Sequence, residues 1–197
     1  KAIIPVHYAG VACDMEKLIA LCTPQNITII EDAAHGIGAK WRGKNLGTIG
    51  HMGTLSFHDT KNVICGEGGA FITNDDRLAD KAQIIREKGT NRSQFLRGQV
   101  DKYTWVEKGS SYILAEPLAA ILSAEVDIMH ELNKKRGVVH HYYMHKLKQL
   151  EEKEILALPN IPNDCETNFH LFHILLKNEQ SRNSLMAYLR EKGIGAT

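Results

Sequence analysis

No stretch of this chain approaches the ~20 consecutive apolar residues that a membrane-spanning helix needs, so no such span is expected. A surplus of one charge is missing too. The 24 Lys and Arg against 23 Asp and Glu leave a formal net charge of +1, with the two signs interspersed. That balance gives no electrostatic footprint for a nucleic acid or an anionic membrane. Cysteine is sparse. Cys13, Cys22, Cys65 and Cys165 stand far apart without a Cys-x-x-Cys pair, and read as reduced thiols of a cytoplasmic protein. There is no basic start followed by a short apolar core to mark a secretion signal, no internal repeat and no low-complexity tract. The 197 residues could bury a sizeable core as one domain, or as one domain and part of another.

What is present begins with strand–helix–strand alternation, the mark of a parallel α/β sheet. Lys1–His7 reads as a short buried strand nearing its end at Pro5. Asp14 caps a helix over Met15–Cys22, and Ile27–Ile30 follows as a β-favouring run that ends in Glu31-Asp32. Gly36-Ile37-Gly38 is no dinucleotide fingerprint, because Trp41 stands where the third glycine belongs. Gly43–Gly53 reads as a loop and hairpin region. Asp75 or Asp76 caps a helix over Arg77–Lys88 that Gly89 stops. Asn91–Ser111 is polar, aromatic and irregular. From Pro117 a single helical pattern runs to Leu150, with a kink expected near Gly137. Asn168–Leu176 then reads as a strand and Ser181–Lys192 as a capped helix. His140, His141 and His145 tempt a metal reading, but there is no zincin glutamate and no nearby cysteine, so none is expected to bind metal.

The chemistry concentrates on Ser56–Gly69. Lys61 lies on a loop between two predicted strands, followed by the turn Gly66-Glu67-Gly68-Gly69, whose glycines allow positive φ and close backbone packing. Upstream, Asp32 closes a buried strand, while its neighbour Glu31 points the other way on an extended backbone. A carboxylate at one strand end and a lysine after the next suit pyridoxal 5′-phosphate. The lysine forms the Schiff base and the carboxylate pairs with the pyridinium nitrogen.

Glu31-Asp32-Ala33-Ala34-His35, Ser56-Phe57-His58, Lys61-Asn62 and Gly66-Glu67-Gly68-Gly69 together resemble the DegT/DnrJ/EryC1/StrS sugar aminotransferases. The runs Arg86–Arg92 and Arg97–Trp105 resemble the branch of dTDP-4-amino-4,6-dideoxygalactose transaminases. The resemblance spans nearly the whole chain. It implies a fold-type I architecture: residues 1–125 as part of a cofactor-binding large domain with a mainly parallel sheet, and 126–197 as a bridging helix and the start of a small α+β domain. It implies Lys61 and Asp32 as catalytic residues, His35 beside the cofactor ring and Ser56 at its phosphate. Ser111 would stand where relatives carry a phosphate-reaching asparagine of the partner subunit. Arg92, Arg97, Lys102 and Trp105 would serve the nucleotide sugar. The implied reaction passes an amino group from glutamate to C4 of a nucleotide-linked 4-keto-6-deoxy sugar, in a cytoplasmic homodimer serving cell-surface polysaccharide synthesis. Two alternatives remain: a non-catalytic fragment, since relatives carry further chain at both ends, and a sugar dehydratase, which in relatives has histidine where Lys61 stands.

Overall fold

The computed structural model describes residues 1–197. The chain opens with β1 (Ala2–Ile3), α1 (Met15–Cys22) and β2 (Thr28–Asp32), then a hairpin of β3 (Lys40–Trp41) and β4 (Lys44–Asn45) before β5 (Met52–Ser56) and β6 (Gly69–Thr73). Four helices follow: α2 (Asp76–Arg86), α3 (Arg92–Leu96), α4 (Glu116–Asp127) and α5 (Met129–Glu152). The short strands β7 (Leu156–Ala157), β8 (Cys165–Glu166) and β9 (Leu175–Leu176) precede α6 (Glu179–Glu191).

The main sheet has four strands in the order β1-β2-β5-β6. β1, β2 and β5 run parallel and β6 returns antiparallel to β5, so the expected mainly parallel sheet is present. Pro5, which has no N–H for the ladder, stops β1 early; only the isolated bridge Val6–Asp32 continues it. β2 alternates in burial, with Ile29 and Glu31 sealed and Thr28, Ile30 and Asp32 half-buried. Met15, Cys22 and Ile29 form one buried cluster beneath α1, and Phe57, Val63 and Cys65 form another under the β5–β6 connection.

Two elements depart from expectation. The helical pattern from Pro117 is not one helix: it breaks at Ile128, which has φ −102° and ψ 5° and ends α4 while starting α5. There is no break at Gly137, which lies within α5. A Cβ there would come 2.8 Å from the Phe169 ring, so this glycine admits a side chain rather than a kink. The strand expected over Asn168–Leu176 shrinks to Leu175–Leu176. Phe169 takes φ +56°, and the His170 N–H is used by the Asn168 side chain, so the segment cannot stay extended.

Candidate active site

Glu31 and Asp32 are neighbours with opposite fates. Glu31 is fully buried. Its Oε2 meets His7 Nε2 at 2.9 Å and accepts from Gly47 N at 2.9 Å; its Oε1 accepts from Ile49 N at 2.6 Å and Gly50 N at 2.5 Å. Burial pushes this carboxyl up, but the His7 hydrogen bond and the three amides outweigh it and hold the group below the usual range. Asp32 faces the other side. Its backbone is clamped, N–H to Pro5 O at 2.9 Å and C=O from His7 N at 3.0 Å. Oδ1 accepts from Ala34 N at 3.1 Å, and Oδ2 has no partner in the chain. In register, Asp32 lies opposite Thr54, so Ser56 falls two residues farther along β5. Both sit at carboxyl ends of parallel strands, where open α/β sheets bind ligands.

The β5–β6 connection holds Lys61. It is laced by Phe57 N–H to Gly68 O, Cys65 N–H to Phe57 O and Lys61 N–H to His58 O, at 2.8, 2.9 and 2.9 Å, and pinned by the buried Phe57, Val63 and Cys65. Gly66 has φ +91°, and a Cβ on Gly68 would come 2.8 Å from Cys65 Sγ, so both glycines are needed for the return. The half-buried Lys61 makes no side-chain hydrogen bond or ion pair within the chain. Ser56 Oγ accepts from His58 N at 3.4 Å. The His58 ring turns outward to Asp59, Thr60 and Glu67.

His35 receives Ala9 N–H on Nδ1 at 3.2 Å and packs beside Tyr8 and His170, with ring centroids 5.2 and 4.2 Å away. Burial and then the Lys61 charge push its pKa down, against an opposing pull from Asp32. Lys61, Asp32 and His35 therefore share one electrostatic neighbourhood. Sequence reasoning missed the layer beneath. His170 Nδ1 meets Asn62 Oδ1 at 2.7 Å. Asn62 Nδ2 donates to Asn133 Oδ1 and to Asn168 O, both at 2.8 Å, and Asn168 Nδ2 donates to His35 O and Ile37 O at 2.7 and 2.9 Å. Burial, with the charges of His35, Lys61 and Arg136, pushes His170 down to about 4. Asn62 stood beside Lys61 in the motif, but its partners Asn168 and His170 lie 106 and 108 residues away, beyond any local spacing signal.

The sequence profile of the DegT/DnrJ/EryC1/StrS aminotransferase family matches residues 1–197. The chain belongs to this family. A relative from Methanocaldococcus jannaschii, the uncharacterised protein MJ1066, is 32% identical over 203 residues, covering 100% of this chain and 52% of its own length. DesV from S. venezuelae, solved in complex with a ketimine intermediate, is 30% identical with a TM-score of 0.86 over 99% of this chain and 49% of that one. A family aminotransferase from Brucella abortus is 30% identical with a TM-score of 0.84, over 98% and 48%. The architecture is thus that of fold-type I aminotransferases, and the chain spans about half the length of the relatives it matches.

The other expected site residues of this aminotransferase-family chain lie apart from that cluster. Ser111 is exposed and bridges to Glu87 at the end of α2. Arg97 is bound to Gln83 and Gln99 at 3.1 Å each and faces Asp80. Arg92 starts α3 and is exposed; Lys102 is held only by its carbonyl, which accepts from Asn91 Nδ2. Trp105 is 73% exposed. None of the five makes a hydrogen bond, ion pair or ring contact with Asp32, His35, Ser56 or Lys61. On α5, His140 is buried against Phe169 and Phe172, and His141 Nδ1 bonds Gly137 O at 2.7 Å.

Proposed function

We propose that this chain carries the lysine-bearing part of a pyridoxal 5′-phosphate-dependent sugar aminotransferase. The groups present fit that cofactor. They are an unpaired lysine, a carboxylate with one free oxygen, a strand-end hydroxyl and a half-buried histidine. The observation that carries the reading is that Asp32, closing β2 with one carboxylate oxygen free, stands opposite Thr54 on β5, the strand whose following connection bears the unpaired Lys61. When bound, pyridoxal 5′-phosphate supplies a carbonyl carbon that can hold an amino group and a ring that accepts electrons. Lys61 would hold the cofactor through its nucleophilic amine and would move a proton at the reacting carbon. Asp32 Oδ2 holds a proton on the ring nitrogen. His35 donates from Nε2, because Nδ1 is taken as an acceptor. Ser56 donates its hydroxyl to the phosphate.

The amino donor is glutamate and the acceptor C4 of a nucleotide-linked 4-keto-6-deoxy sugar, in the manner of the dTDP-4-amino-4,6-dideoxygalactose transaminases, for cell-surface polysaccharide synthesis. Arg92, Arg97, Lys102 and Trp105 offer cations and an aromatic face to the nucleotide diphosphate, and Ser111 reaches a partner subunit's phosphate in a homodimer. Lysine at position 61 disfavours the dehydratase alternative. The test is chemical. Borohydride reduction of the chain with millimolar pyridoxal 5′-phosphate, followed by peptide mapping, should place the pyridoxyl label predominantly on Lys61. Labelling spread evenly over the lysines overturns the assignment.

A further inference from the structure

His35 and His170 are fixed in opposite tautomers by groups whose roles are unambiguous. The Ala9 N–H can only donate, so His35 Nδ1 is an acceptor and the neutral ring carries its proton on Nε2. On His170 the logic inverts. The carbonyl of Asn168 can only accept, so the Asn62 atom facing it is the NH₂, and Asn62 Oδ1 must be the atom that faces His170 Nδ1. His170 therefore carries its proton on Nδ1. Its Nε2 is a bare lone pair that makes no hydrogen bond within the chain, although it is not among the side-chain atoms sealed without a partner. The two rings lie 4.2 Å apart, and the Lys61 charge bears on both. The backbone turns that place them are strained: Ala9 and Phe169 hold φ of +59° and +56°.

We propose that His170 is the site's neutral hydrogen-bond acceptor for a primary ammonium, the group this site moves, and so distinguishes the amine form of the cofactor from forms without it. The inference rests on the cofactor reading above. An ammonium has donors only and needs lone pairs. Asp32 is occupied by the ring nitrogen in that reading, and His35 presents a donor. His170 Nε2, unpaired and not sealed off beside the His35 ring, is an unused lone pair of this cluster. Staying neutral, it accepts a hydrogen bond without adding charge that would repel the amine.

Two measurements test this. In the ¹⁵N-labelled chain, long-range nitrogen–proton spectra should show His35 as the Nε2–H tautomer and His170 as the Nδ1–H tautomer at pH 7; the same tautomer for both overturns the inference. Second, pyridoxamine 5′-phosphate and pyridoxine 5′-phosphate differ at one position, ammonium against hydroxyl, and neither reacts with lysine. His170→Asn keeps an N–H for Asn62 but removes the Nε2 lone pair. It should weaken the amine compound about tenfold and the alcohol less than twofold. Equal weakening of both, or none of either, overturns the role of His170 while leaving the cofactor site standing. Failure of both compounds to shift the His35 and Lys61 resonances of the unsubstituted chain at millimolar concentration overturns the cofactor reading and this inference with it.

Discussion

Glu31 and Asp32 show how one peptide bond separates structure from chemistry. A strand turns successive side chains to opposite faces, so one carboxylate is consumed by His7 and three amides and the other keeps a free oxygen. Glu31→Gln should destabilise the chain by about 2–4 kcal/mol, since it leaves buried donors and a buried His7 without their anion. Asp32→Asn should leave the urea midpoint nearly unchanged. In an active assembly it should lower amino transfer by on the order of 10³-fold. A large stability loss in Asp32→Asn would show that its carboxylate serves the fold instead. His170 gives a second expectation. An unfolded histidine takes a proton near pH 6.5, the folded one only at about 4. Between those values the unfolded chain alone binds the proton, so stability falls as pH drops through the window, by up to about 3 kcal/mol. Glu31, held below its usual range, adds a further loss only at lower pH. Comparing urea midpoints at pH 7 and pH 5 checks this. The unsubstituted chain should lose more than His170→Asn, and equal losses would contradict it. The places of Asp32 at a strand end and of Lys61 in the loop between two strands could be read from the sequence. His7 and His170 were not, since an isolated histidine carries no period and its partner lies on a distant element.

At the scale of elements, caps and turns could be read and seats could not. Asp14 and Asp75 cap α1 and α2 as expected, accepting from Lys17 N and Arg77 N. The break at Ile128 has no proline or glycine to announce it. It arises where Met129 leaves α4's line to pack against Gly38, with Sδ 3.3 Å from where a Cβ would stand, and against the cluster of Phe57, Val63 and Cys65. Gly10 is the sharpest test of how these elements interlock. It holds φ +75°, and a Cβ would fall 2.0 Å from Asn168 Oδ1. Gly10→Ala must therefore displace the amide that fastens the C-terminal segment to His35 O and Ile37 O. The expected cost is about 2–4 kcal/mol in thermal or urea unfolding. Loss of the Asn168 side-chain amide signals from their protected positions should accompany it. An unchanged midpoint would mean that the segment docks without that contact.

Over the whole molecule, the polar groups gathered at the strand ends are few for the ligand proposed. A phosphate offers three acceptor oxygens; the side chain placed for it by β5 is Ser56 alone. The sheet is also open. β6 pairs with β5 on one side and with no strand on the other, and a groove of about 830 Å³ between β6 and α2 is lined by apolar groups including Phe71, Ile72, Ala82 and Ile85. Such an edge can take another strand and such a groove another apolar surface. Each charge-assisted hydrogen bond contributes about 1.5–3 kcal/mol. A site short of two of them binds its cofactor about 10³-fold more weakly or worse. The 197-residue chain by itself should therefore bind pyridoxal 5′-phosphate in the range seen only by millimolar titration, and should give no measurable transfer from glutamate to a dTDP-4-keto-6-deoxy sugar. The comparison that decides it is the same assay with the remaining half of a homologous aminotransferase supplied in the same polypeptide, which should tighten cofactor binding and bring turnover. Robust turnover by the 197 residues alone would show that Asp32, His35, Ser56 and Lys61 suffice for the reaction.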